Sequence, residues 1–210
     1  MKIGILGAGN LGTTLGKAWA KHGHEVIYGV RDRNAPKVQA LLDATIGKRY
    51  AATIADTATK AEIVALTVLW DAVPEIVQQI GDLSGKICLD CTNPLVANAL
   101  HDMAAVATSG GEQIAEWLPK ARVVKIFNTV GWETIEKPQY NGERATMFYA
   151  GDDAQAKAIA SQLATEIGFE AIDAGSLSAS KYLENLAGLW GQIAYGQGMG
   201  REIGWRLLQR

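Results

Sequence analysis

The tightest constraint on this chain is a cluster of glycines that closes one apolar segment and opens another. Lys2-Ile-Gly-Ile-Leu6 reads as a short strand, and Gly7-Ala8-Gly9-Asn10-Leu11-Gly12 follows it at once. From Asn10 onward Leu11, Leu15, Ala18, Trp19 and His22 keep helical spacing, and Gly23 stops that helix. A G-x-G-x-x-G run carries little weight alone, but the strand before it and the helix after it supply the context it needs. Gly7 permits the tight turn, Gly9 leaves the backbone open to a pyrophosphate, and Gly12 lets helix and strand pack closely. The helix start then offers unpaired N–H groups and the positive end of its dipole. This predicts a dinucleotide-binding loop over residues 7–12. It is not a Walker loop, because no Gly-Lys-Ser/Thr follows.

The strand–helix order repeats. Glu25–Tyr28, Ala61–Leu69, Lys86–Leu89, Arg122–Phe127 and Ala145–Ala150 read as further strands, and Pro36–Leu42 and Val73–Ile80 as helices. The Ala61–Leu69 run is apolar but for Glu62 and Thr67, which suits a strand covered on both faces. These features predict an α/β, Rossmann-like doubly wound and mostly parallel sheet. Beyond residue 150 the pattern changes. Asp152 with Gln155 predicts a capped helix faced by Ile159, Leu163 and Ile167, then a strand Phe169–Ile172 and a helical stretch carrying Leu183, Leu186, Ala187, Trp190, Ile193 and Ala194. The expected division is a dinucleotide-binding domain over 1–150 and a small, mostly helical C-terminal domain over 151–210. Gly196, Gly200 and Gly204 at four-residue spacing predict helices over 180–208 at a homodimer contact.

Composition narrows the function classes. A net charge of −2 offers no basic stripe for nucleic acid. No run of 18 apolar residues predicts a membrane span, and no targeting signal is recognised, so a cytoplasmic protein is expected. Cys88 and Cys91 lie in one apolar strand without a second ligand pair; they read as ordinary buried thiols in a reducing compartment, with no metal site.

The end of the second strand bears on which dinucleotide binds. An NAD site places an acid there to hold the ribose 2′-hydroxyl. Here Gly29 stands in that place, and Arg31 and Arg33 follow, flanking Asp32. The planar donor fork of arginine suits a 2′-phosphate, so NADP(H) is expected.

Ligands in such sheets bind beyond the carboxyl ends of the strands. There the sequence places Leu69 and Trp70, then Asn93 and Pro94, then Asn128 and Thr129. Leu69 is expected beside the cofactor. The amides and the hydroxyl suit orientation of a carboxamide, and Trp70 and Pro94 suit walls; core packing or an ordinary turn is the alternative for each. No tyrosine has a lysine four residues later, and His22, His24 and His101 offer no evident general acid, only His101 falling in a loop near the cleft side. Reduction of a carbonyl needs a proton donor at the alkoxide, whereas hydride transfer to a flavin-like ring needs mainly stacking and orientation. The residues therefore favour a flavin-type acceptor.

Taken together, Ile3-Gly-Ile-Leu-Gly-Ala-Gly-Asn-Leu-Gly12, Gly23-His-Glu-Val-Ile-Tyr-Gly-Val-Arg31, Leu66–Trp70, Gly151-Asp-Asp153 and Asp173-Ala-Gly-Ser-Leu177 resemble the NADP oxidoreductases dependent on the deazaflavin coenzyme F420, over essentially the whole chain. Lys125-Ile-Phe-Asn-Thr129 is also similar to the cytosolic reductase domain of six-transmembrane metalloreductases, which passes hydride from NADPH to a flavin. The resemblance implies an NADP-binding domain, a small C-terminal domain, a cleft between them and a homodimer. It assigns Gly7, Gly9, Asn10, Leu11 and Gly12 to the phosphate loop and Arg31 to the adenosine 2′-phosphate. Coenzyme F420, FAD or FMN is the implied acceptor. An imine or carbonyl reductase, and a non-catalytic NADP(H) sensor or a reductase subunit for a separate partner, are the alternatives.

Overall fold

Short β-rich runs alternate with amphipathic helices, and the crossovers place most of the runs side by side in one main sheet. The computed structural model describes residues 1–96, 99–103 and 108–210. In chain order the elements are β1 (Lys2–Leu6), α1 (Asn10–Lys21), β2 (Glu25–Gly29), α2 (Pro36–Ala44), β3 (Arg49–Ala52), α3 (Ile54–Lys60), β4 (Ile63–Leu66), α4 (Val73–Ile80), β5 (Ile87–Asp90), β6 (Leu95–Val96) and β7 (Ala99–Met103). There follow α5 (Gly110–Trp117), β8 (Arg122–Lys125), α6 (Trp132–Glu136), β9 (Gln139–Tyr140), β10 (Glu143–Arg144), β11 (Thr146–Gly151), α7 (Ala154–Ile167), β12 (Glu170–Asp173) and α8 (Ser180–Gly191).

The main sheet has eight strands in the order β12-β11-β8-β5-β4-β1-β2-β3. All neighbours are parallel except β11 against β8. Alternate residues of the central strands feed two cores. Ile3, Ile5, Ile63, Ala65, Ile87 and Leu89 point to the face covered by α1, α6 and α7. Leu6, Val64, Leu66 and Cys88 point to the face covered by α3, α4 and α5. The fold is the doubly wound α/β arrangement expected from the sequence. No helix of the described residues is long and apolar enough to cross a membrane.

Several local expectations need correction. The strand expected over Ala61–Leu69 is shorter, because the Thr67 hydroxyl donates to the carbonyls of Leu6 and Gly7 at 3.0 and 2.9 Å and turns the chain onto the glycine loop. Asp153, not Asp152, caps α7 by accepting from the Ala156 N–H at 2.7 Å; Asp152 instead accepts from the Leu177 N–H at 2.9 Å. His101 lies within β7 and not in a loop, and its side chain falls outside the described part. The expected helix over the last glycines does not form. A π-turn over Gln192–Gly196 ends α8, and Gly198 and Gly200 take φ of 68° and 85°, so Gly196, Gly200 and Gly204 share no helical face.

Residues 197–210 run back over the sheet instead. The Thr146 N–H donates to Trp205 O at 2.7 Å, and the Trp205 indole N–H donates to Thr129 O at 2.8 Å. The segment 151–210 contributes α7, the edge strand β12 of the main sheet, α8 and this returning tail.

Candidate active site

The glycine loop is built as its sequence requires. Gly7 has φ of 116°, and a Cβ there would sit 2.8 Å from Thr67 O. At Gly12 a Cβ would lie 1.9 Å from Gly7 O, so the first turn of α1 rests directly on the loop backbone. Gly9 differs. It is the exposed residue at the cap of α1, its φ and ψ of −81° and −174° are open to any residue, and nothing lies within 4 Å of a Cβ placed there. No side chain caps α1, and no acid stands in its first turn. An uncapped, electropositive helix start behind an open glycine is shaped for an anion that approaches the backbone closely. The loop therefore fits a dinucleotide pyrophosphate on geometry as well as on motif. Ala8 and Asn10 are exposed beside it, and Leu11 is half-buried.

At the end of β2 the structure shows why no acid occupies position 29. A Cβ at Gly29 would lie 2.5 Å from Leu6 Cδ2 and 3.2 Å from Thr57 Oγ1, so a larger residue there would have to displace the buried Leu6 side chain. Arg31 is exposed, with one guanidinium nitrogen 3.3 Å from the exposed Glu75 carboxylate, a pair that holds it only loosely. Asp32 accepts from the Asn34 N–H at 2.9 Å, which commits its carboxylate to its own turn. Arg33 is exposed, and its carbonyl accepts from the Gln39 side chain at 2.9 Å.

The carboxyl ends of β5 and β8 form a polar pair. Asn93 Nδ2 donates to Asn128 O at 2.8 Å, and Asn128 Nδ2 donates to Asn93 Oδ1 at 2.9 Å. This fixes the Asn128 amide and leaves its buried Oδ1 without a partner. Phe127, just before it, has φ of 62°, an uncommon conformation for a non-glycine residue. Asn93 and Asn128 open onto a cleft of about 190 Å³ that reaches Leu11 on the glycine loop. Trp132, Trp190, Tyr195 and Arg201 close its other sides. The Arg201 guanidinium is held by Glu133 and by the Tyr195 hydroxyl, and lies 5.6 Å from the Trp190 ring.

The remaining candidates, Leu69, Trp70, Pro94 and Thr129, do not line this cleft, so Trp70 and Pro94 are not its walls as expected. Leu69 is 82% exposed, an unusual setting for a leucine, next to the loop that Thr67 fastens to Gly7. Trp70 stacks on Trp117 at 5.7 Å. With Pro94 it packs against the start of α5, where a Cβ at Gly110 would meet both at 3.1 and 3.3 Å. Thr129 is buried, with its hydroxyl unpaired and its carbonyl receiving Trp205.

Beneath the cleft lies a buried charge cluster that sequence reasoning missed. Lys125 Nζ stands 2.8 Å from Asp90 Oδ2, 2.8 Å from Glu184 Oε1 and 2.8 Å from Thr92 O, and all three charged side chains are almost wholly buried. Burial alone pushes the Lys125 ammonium towards losing its proton; Asp90 and Glu184 outweigh it and hold its pKa above the ordinary lysine value. Glu184 also accepts from the N–H groups of Gly110 and Gly111 at 3.0 and 3.1 Å, and Asp90 accepts from the Thr92 N–H at 2.9 Å. The cluster ties β5, β8, the start of α5 and α8 together directly under Asn93 and Pro94. A lysine inside the apolar run Arg122–Phe127 was its only sequence signal. Cys88 and Cys91 are buried free thiols, both pushed up in pKa by burial, and so unreactive.

A doubly wound sheet with an open glycine loop at its first βα turn and a cleft at the neighbouring strand ends is the architecture of a nicotinamide-dinucleotide oxidoreductase. A profile of the family described as NADP oxidoreductase, coenzyme F420-dependent, matches residues 2–94. A crystal structure from Arthrobacter sp. FB24, provisionally named an F420-dependent NADP-reductase, superposes with a TM-score of 0.89 and 31% identity over 100% of both chains. The chain belongs to this family of NADP-dependent oxidoreductases. It is also 28% identical over 185 residues to the metalloreductase STEAP3 of Rattus norvegicus, covering 87% of this chain and 36% of that protein. It thus spans about a third of the length of the curated metalloreductases it matches. A reductive aminase from Aspergillus terreus, solved with NADPH and ethyl-5-oxohexanoate, shares the fold at a TM-score of 0.67 and 22% identity, over 94% of this chain and 63% of that one.

Proposed function

We propose that the protein transfers hydride between NADP(H) and a flavin-type ring, with coenzyme F420, FAD or FMN as acceptor. The observation that carries this reading is the cleft between Leu11 and Asn128, walled by indoles and amides, which can stack and orient planar rings. The N-terminus of α1 and the open backbone at Gly9 hold the pyrophosphate, and Arg31 the 2′-phosphate. Asn93 and Asn128, whose amides hold one another in place at the strand ends, form the polar wall against which a carboxamide is oriented. Trp132 and Trp190 exclude water. When bound, the reduced nicotinamide supplies a hydride carrying two electrons, and the acceptor takes one further proton from solvent.

A second reading rests on Tyr195. Its phenol lies in the cleft against the Arg201 guanidinium and could protonate a carbonyl or imine product as hydride arrives. NADPH oxidation with F420, FAD, FMN and a panel of small carbonyls and imines, in wild type and Tyr195→Phe, separates the two. Flavin-type turnover that survives Tyr195→Phe is expected. Turnover confined to carbonyls or imines, and lost in Tyr195→Phe, would replace the first reading with the second. Tight NADPH binding with no acceptor reduced would point to a sensor.

For the cofactor, NADPH is expected to bind at least about tenfold tighter than NADH, a difference of about 1.4 kcal/mol and modest for a charge-assisted contact. Arg31→Ala should remove most of that gap. Equal wild-type affinities, measured by titration calorimetry, would sink the assignment.

A further inference from the structure

The cleft at the strand ends is small. Its volume of about 190 Å³ falls below the roughly 300–1,000 Å³ of ordinary ligand sites. It has room for a reacting ring, but not for the rest of an acceptor. A second cavity of about 340 Å³ begins beside it, running along α1 between that helix and α6. Trp132 lines both, and consecutive residues of the glycine loop divide between them, Leu11 in the cleft and Asn10 in the groove. The groove lies on the side of α1 that faces α6 and α7, whereas β2, whose carboxyl end leads to Arg31, lies on the other side in the sheet. The adenosine half of a dinucleotide drawn to Arg31 therefore leaves the groove free.

The groove is lined for an anion. Asn10, Thr14, Lys17 and Lys21 follow one another at helical spacing on its α1 wall, with His22 at the far end. At 1.5 Å per residue Lys17 lies about 10 Å and Lys21 about 16 Å along the helix from Asn10. Among the described residues neither lysine has a carboxylate within salt-bridge distance, and Glu136 is the acidic residue on the lining.

We propose that the groove between α1 and α6 is the subsite for the anionic tail of the acceptor: the ring sits in the cleft against Trp132, and a phosphate ester on its side chain lies along α1 within reach of Lys17, a longer tail reaching Lys21. This rests on the flavin-type acceptor reading above.

The test uses riboflavin, FMN and FAD, which share one ring and differ in the charge of the tail, as acceptors for NADPH oxidation by the whole chain. KM for FMN is expected about fivefold below that for riboflavin, the scale of one or two partly exposed ion pairs, and the advantage should shrink as salt rises. The ratio of the two KM values should fall towards one in Lys17→Gln combined with Lys21→Gln, and recover in Lys17→Arg. Equal KM values for riboflavin and FMN, or an FMN advantage that survives the double substitution, overturn the subsite while leaving flavin reduction standing. Reduction of none of the three flavins nor of F420, with NADPH still bound, overturns the acceptor reading and the subsite with it.

Discussion

Gly9→Val is expected to weaken NADPH binding at least about 100-fold, or about 2.8 kcal/mol, while leaving the fold intact. The backbone at Gly9 already has dihedral angles that valine adopts, and a Cβ there meets nothing within 4 Å. The fold loses only the small difference between glycine and valine at a helix cap, about 1 kcal/mol, or a melting-temperature drop of about 2–4 °C. The space those methyl groups fill is the one through which a pyrophosphate must reach the N–H groups of α1. Gly12→Ala, three residues further along the chain, should behave in the opposite sense. Its Cβ would lie 1.9 Å from Gly7 O, so the protein should fail to fold or melt far lower. Thermal unfolding beside titration calorimetry with NADPH checks both. A folded Gly9→Val with wild-type NADPH affinity would place the pyrophosphate elsewhere.

Lys125→Met should cost about 3–5 kcal/mol, because it leaves Asp90 and Glu184 buried without their shared cation. For a chain of this size that lowers the melting temperature by roughly 6–20 °C. The pH dependence has a definite sign. In the wild type the folded pKa of Lys125 is raised, so its stabilisation is complete below the unfolded lysine value and is lost only as pH climbs through the raised folded value. Between pH 5 and 9 the wild type should show no stability change from this residue. In Lys125→Met the stranded carboxylates bind protons more readily when folded than when unfolded, so the deficit should shrink as pH falls. Adding Glu184→Gln should recover part of it. A deficit under about 1 kcal/mol, or one that ignores pH, would mean the cluster is not held by charge.

Local chemistry made much of this molecule legible before any coordinates. The alternation of apolar runs and amphipathic helices led to a parallel sheet because parallel strands must be joined by crossovers. The glycine loop was readable because each glycine answers a local demand: the positive φ of Gly7, the open backbone of Gly9, the contact of Gly12 with Gly7 O. Pro36 correctly marked the first turn of α2, since proline lacks only an N–H that a helix start leaves unused.

What escaped the sequence depends on residues far apart in the chain. β3, at the sheet edge, carries the half-polar run Arg49-Tyr-Ala-Ala52, which becomes a strand only by pairing with β2. Gly29 looked like a missing acid; its close packing against Leu6 and Thr57 shows that a side chain there would have to push Leu6 aside. The glycines after Gly196 kept a helical spacing, yet positive φ at Gly198 and Gly200 and the anchoring of Trp205 on Thr129 and Thr146 turn that segment into a returning tail. Lys125 was visible only as an oddity in a strand. Its partners stand 35 residues before it and 59 after it, at Asp90 and Glu184. Periodicity and turn chemistry act over a few residues, so they set which elements form. Burial of charge and close backbone contact act through space, so only the folded chain decides which of those elements meet around the cleft.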